Sequence, residues 1–180
     1  INLMGAPAMD RDGFAELRRD PRPLLGASIK LVAPTGDYND DKIVNVGANR
    51  WAAKLEFGYM TVLNPKWLLE FELGAWFFED NDDFLGLTKE QNEIYAAEVH
   101  LIRRFSPGFW ASLDFNGYKG GRSTVDGRRL EDLQRDSKFG ITGVFPFAKG
   151  HAIKASYSYG SVNDSDESFD MLSLAYQHIF

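Results

Sequence analysis

From Leu24 onward apolar residues return at every second position, segment after segment, and this period of two commits the chain to β-structure. Leu25, Ala27, Ile29, Leu31 and Ala33 alternate with Gly26, Ser28 and Lys30. Trp51, Ala53, Leu55, Phe57 and Tyr59 alternate with Lys54, Glu56 and Gly58, and Trp67, Leu69, Phe71, Leu73, Ala75 and Phe77 with Glu70, Glu72, Gly74 and Trp76. The pattern repeats through Tyr95 to Leu101, Phe109 to Phe115, Phe139 to Phe147, Ile153 to Tyr159 and Leu172 to Phe180. Eight strands result, of about the 9–11 residues that cross a bilayer as tilted β. No segment approaches the roughly 18 apolar residues of a membrane helix. Any membrane span must therefore be made of strands.

The connections between strands alternate too. Those after Leu63, Phe105 and Phe147 are a few residues long, with tight turns near Pro65, Pro107 and Lys149. Those around Tyr38 to Asn49, Glu79 to Glu93, Ser123 to Arg135 and Val162 to Glu167 are long or highly charged. Short turns at one rim and long loops at the other are the build of an outer-membrane barrel. On the apolar parity Trp67, Phe105, Phe109, Phe147 and Phe180 fall at one end of the strands, and Trp51, Phe77, Tyr95 and Tyr159 at the other. These positions match two interfacial aromatic girdles. A water-soluble barrel around a hydrophobic ligand, as in lipocalins, shows the same alternation turned inside out, and would leave the girdles as accidents.

Residues 1–23 precede the strands. Ile1, Asn2 and Leu3 look like the tail of a strand, which suggests further strands upstream, and Asp10 can cap a short helix reaching Arg19. Phe14 and Leu17 are its only apolar pair, so it belongs at the surface, as part of a periplasmic turn. The 180 residues form one domain, with strands over 24–180. A net charge of -6 argues against nucleic acid as a partner. The absence of cysteine removes disulfides and thiolate chemistry.

The last strand ends on Phe180, with Tyr176 four residues before it. This resembles the carboxy-terminal signal that the outer-membrane assembly machinery reads in bacterial β-barrels. Further motifs extend the likeness: Leu3-Met4-Gly5-Ala6-Pro7-Ala8, Ala33-Pro34-Thr35-Gly36-Asp37-Tyr38, Asn45-Val46-Gly47-Ala48-Asn49-Arg50-Trp51, Trp76-Phe77-Phe78 with Asn81-Asp82-Asp83-Phe84, and Gly120-Gly121-Arg122-Ser123-Thr124. In this order they resemble the MetA-pathway of phenol degradation family. The resemblance implies an all-β, antiparallel meander forming a transmembrane barrel in the bacterial outer membrane. About eight strands of it lie in this chain, as part of a larger barrel. It also implies contact with outer-membrane lipid and passage of small solutes, aromatic or hydrophobic ones among them, without catalytic residues or cofactor.

If the apolar parity faces lipid, the other lines a lumen. It carries Lys30, Lys54, Glu56, Glu70, Glu72, Glu98, His100, Arg104, Asp114, Lys138 and Lys154, with acids and bases about balanced. Such a set is either a polar path that orients a solute or a self-neutralising network filling a narrow barrel. Glu70 and Glu72 share a face as a general acid and base would, but no accompanying motif supports catalysis or an outer-membrane enzyme. His100, His151 and His178 have no metal-ligand spacing. Asp37 to Asp41 opens like a calcium loop, yet Lys42 stands where its glycine belongs. Glu79, Asp80, Asp82 and Asp83 read as a solvated loop.

Overall fold

The computed structural model describes residues 1–163 and 170–178. In chain order the elements are β1 (Asn2–Met4), α1 (Arg11–Arg19), β2 (Leu24–Val32), β3 (Ala52–Asn64), β4 (Trp67–Phe78), β5 (Asn81–Phe84), β6 (Leu87–Gln91), β7 (Ile94–Ser106), β8 (Phe109–Gly120), β9 (Ser123–Val125), β10 (Arg128–Arg129), β11 (Gln134–Ala148), β12 (His151–Asn163) and β13 (Asp170–His178). The eight long strands β2, β3, β4, β7, β8, β11, β12 and β13 match the eight alternating segments. With β1 they form one nine-stranded antiparallel sheet in meander order. Among the described residues β13 pairs only with β12, and β2 with β1 and β3, so the sheet is open. Phe180, the proposed assembly signal, lies outside the described residues.

Tight turns at Pro65, Pro107 and Lys149 join β3 to β4, β7 to β8 and β11 to β12. The short helix is also where the sequence puts it, with the Asp10 carboxylate accepting the Gly13 N–H at 2.9 Å. No helix among the described residues is long and apolar enough to cross a membrane.

Cross-strand register decides which way the sheet faces. Thr61, Leu69, Leu101, Leu113, Ile141, Tyr157 and Leu172 fall in one continuous row across seven strands. This row is the open one: Leu113 is 60% exposed, Ile141 56% and Leu172 71%. Ser112 and Asp136, on the opposite parity, are 7% and 9% exposed. Val144 is the single buried hydrophobic residue among those described. A water-soluble domain buries its apolar face. Here the polar face is the sheltered one, which fits a sheet whose outer solvent is hydrocarbon.

The connections expected as polar loops are partly folded. β5, β6, β9 and β10 make a second, four-stranded sheet in the order β10-β9-β6-β5. Asp126-Gly127 turns β9 into β10 and Leu85-Gly86 turns β5 into β6, with positive φ at all four residues (47°, 75°, 56° and 73°). Two consecutive left-handed residues are what a two-residue hairpin needs to match strand twist. Asp-Gly is its usual sequence. Gly120, at φ 137°, bends β8 out of the large sheet, and a Cβ there would lie 2.0 Å from the Glu93 carbonyl oxygen.

Candidate functional site: a charged inner face beneath a folded cap

Every lumen candidate read from parity lies on the sheltered face or at its rims. The register arranges most of them in rows. Glu70, His100 and Asp114 form a central row, with Glu72, Glu98, Asn116 and Lys138 beside it. Toward the long-loop end follow Ser28, Glu56, Gly74, Ala96, Tyr118 and Asp136, then Lys30, Lys54, Trp76 and Ile94. Lys154 sits near the short-turn rim between Val144 and Ala175.

Short contacts tie these charges together. His100 Nδ1 lies 2.7 Å from Asp114 Oδ1 and its Nε2 lies 3.7 Å from Glu98 Oε2. The Thr142 hydroxyl donates to Asp114 Oδ2 at 2.7 Å. Lys54 pairs with Glu56, and Lys138 lies 4.0 Å from Asp136. Buried charges require such partners. The balance seen in the sequence is not uniform in space, however. Glu56, Glu70, Glu72, Glu98 and Asp114 gather on β3, β4, β7 and β8, whereas Lys138 and Lys154 stand on β11 and β12.

Arg104 has a different place from the other candidates. Its guanidinium donates to the Arg18 carbonyl, in the last turn of α1, and to the Pro65 carbonyl at 3.4 Å. It therefore anchors the helix at the short-turn rim.

The alternation left a second group undetected, at the long-loop end. Arg50 lies over the Phe78 ring, 4.8 Å from its centroid, and Phe78 stacks on Trp76 with centroids 6.3 Å apart and planes 8° from parallel. Lys30 sits 5.5 Å over Trp76. Two aromatic planes thus carry a cation at each end, on the inner face just below the cap. Arg50 also donates to Gln91 Oε1, and Gln91 Nε2 donates to the Gly121 carbonyl at 3.0 Å. Burial lowers the pKa of Arg50, and Asp80 acts in the opposite direction. Arg50 Nη1 and Arg122 Nε are buried without a hydrogen-bond partner.

The cap holds itself in place through Asn81, only 4% exposed. Asn49 donates to Asn81 Oδ1 at 3.0 Å, Asn81 Nδ2 donates to the Tyr38 oxygen at 2.8 Å, and the Tyr38 hydroxyl donates to the Asp83 carbonyl at 3.0 Å. Near-contact of Gly36 with Gly47 closes the Tyr38 to Asn49 segment, since a Cβ on Gly47 would lie 2.6 Å from the Gly36 oxygen. The motifs scattered through the sequence at Tyr38, Asn49, Arg50, Asn81 and Gly121 thus converge in one place. Asn81→Ala leaves the Asn49 amide and the Tyr38 hydroxyl without this partner, at a cost of about 1–3 kcal/mol to the cap. Limited proteolysis within residues 37–49 should accelerate, while resistance of the large sheet stays unchanged.

Two histidines far apart in sequence also meet. The β12–β13 register pairs His151 with His178, and their rings stack with centroids 4.3 Å apart. No group of three or more side chains able to hold a metal ion occurs among the described residues.

Known proteins agree with this geometry. A solved outer membrane channel from Pseudomonas putida F1 superposes with a TM-score of 0.80 at 28% sequence identity, over 88% of this chain and 60% of that one. The chain therefore spans less than two thirds of the channel it matches. No curated protein sequence matches it. The model of the family described as "Putative MetA-pathway of phenol degradation" matches residues 14–169. With an inside-out sheet, girdle aromatics and a match over most of its length, the chain belongs to this family of outer-membrane β-barrels.

Proposed function

We propose that this chain forms wall and outer mouth of a passive channel for small, weakly polar compounds, aromatic ones among them. The observation that carries the reading is the stack of Arg50, Phe78, Trp76 and Lys30 on the inner face. Half-buried aromatic rings at a mouth favour planar solutes, and flanking cations favour those with a phenolate or carboxylate group. Further in, cations stand among the acids, as in Lys54 with Glu56 and Lys138 by Asp136, so permeant ions meet no ring of a single sign. Weak ion selectivity follows. In hydrocarbon an unpaired strand edge is not tolerated, so the wall works within a closed barrel, with β13 and the edge formed by β1 and the remainder of β2 as the closure points.

Flux into liposomes tests the reading, with phenol and benzoate compared against a sugar of similar size and a simple salt. The aromatic solutes should pass faster than the sugar, and Trp76→Ala should reduce that preference about threefold to tenfold, a stacking contribution of about 0.5–1.5 kcal/mol. Folded protein that passes none of these solutes above empty liposomes would overturn the proposal.

A further inference from the structure

Two grooves lie on the membrane-facing side among the described residues, and one of them ends in a pair of cations. Lys119, one residue before the long-loop end of β8, stands directly opposite Arg135, near the start of β11. Both lie on the parity of Leu113 and Phe115, facing lipid, and both are exposed. Neither forms an ion pair among the described residues. Like charges placed opposite each other on a sheet repel, so an anion between them relieves the repulsion.

Next to the cations the surface sinks. Register continues from Lys119 to Tyr95, and the adjacent row runs Leu73, Ala97, Gly117, Ser137. Ala97 and Gly117 form the floor of a cavity of about 610 Å³, with Leu73 and Tyr95 as walls and Lys119 and Arg135 at its outer end. Small residues in a lipid-facing sheet leave a depression there, bordered by the Phe115 ring, which lies 3.4 Å from where a Cβ of Gly117 would be. The other groove, near the opposite rim, contains the single cation Arg103, which already lies over Trp67 and Phe105 at 5.0 and 5.9 Å.

We propose that the first groove binds one acylated, phosphorylated lipid of the outer leaflet, its phosphate held between Lys119 and Arg135 and one acyl chain lying over Ala97 and Gly117. Charge and shape select the ligand together. A free phosphate satisfies the cations but leaves the groove empty, and an uncharged lipid fills the groove but leaves the cations facing each other. The site lies on the opposite face of the sheet from the solute path, so its failure and that of the channel reading are separable.

The folded full chain in detergent, titrated with diphosphorylated lipid A and followed by native mass spectrometry, provides the test. One lipid should bind saturably. Removing the phosphates from the lipid, or introducing Lys119→Gln with Arg135→Gln, should each weaken binding about tenfold or more. Gly117→Leu should weaken binding with both cations intact, and the charge-preserving pair Lys119→Arg with Arg135→Lys should bind as the parent does. Equal binding by the double glutamine variant, or by dephosphorylated lipid, would overturn the proposal. So would inorganic phosphate that competes with the lipid at equal concentration.

Discussion

Leu113→Arg should destabilise the bilayer-folded protein by about 2–4 kcal/mol, the cost of an arginine near mid-membrane on a lipid-facing strand. Leu113 sits in the middle of the exposed apolar row, between Leu101 and Ile141. Asn116→Arg, three residues on and on the inner face, should be tolerated far better, because its cross-strand neighbour Glu98 offers a carboxylate. Equilibrium unfolding of both variants from lipid vesicles compares them directly. Equal loss of stability would mean that the polar face, not the apolar one, is turned to lipid.

Asp114→Ala is the second large effect. Asp114 holds His100 through one oxygen and Thr142 through the other. The paired His100 and Asp114 side chains are only 23% and 18% exposed, so water replaces little of what is lost. Hydrogen bonds to a charged group are worth about 1.5–3 kcal/mol each, and a loss of about 2–3 kcal/mol is expected in the same unfolding measurement. Thr142→Val removes one arm and should cost about 1 kcal/mol. Lys30→Ala, whose ammonium lies over a ring, should change stability by well under that.

The strands, their turns and their facing were legible because a two-residue period survives wherever one face meets hydrocarbon and the other does not. Leu113, Ile141 and Leu172 carry that signal without any tertiary help. The cap was not legible from alternation, because β5, β9 and β10 are only four, three and two residues long. Its trace was in the turns instead: Asp126-Gly127 is a hairpin signal inside what reads as a charged loop. Asp136, nearly buried beside Lys138, was hidden for a related reason, since β11 begins at Gln134, inside that loop. Trp76 was on the polar parity in plain view. Only its stacking with Phe78, two positions along the same face, and the arrival of Arg50 from another segment make it part of a site. Such convergence depends on register and on loop folding, and neither is written in local spacing. The same holds for His151 and His178, neighbours only through strand pairing.

These 180 residues contain no cysteine, so a single thiol introduced among them reports its own surroundings with no other thiol in this stretch. The most direct test of a channel with this facing places Cys at position 116 or 113 in the barrel reconstituted in liposomes, followed by a charged, membrane-impermeant thiol reagent. Asn116→Cys should react, and flux of phenol-like solutes should fall as the added group fills the path. Leu113→Cys should stay unreactive in its lipid setting, with flux unchanged. Reaction and block at position 113 with none at 116 would contradict both the facing of the sheet and the path assigned to the solute.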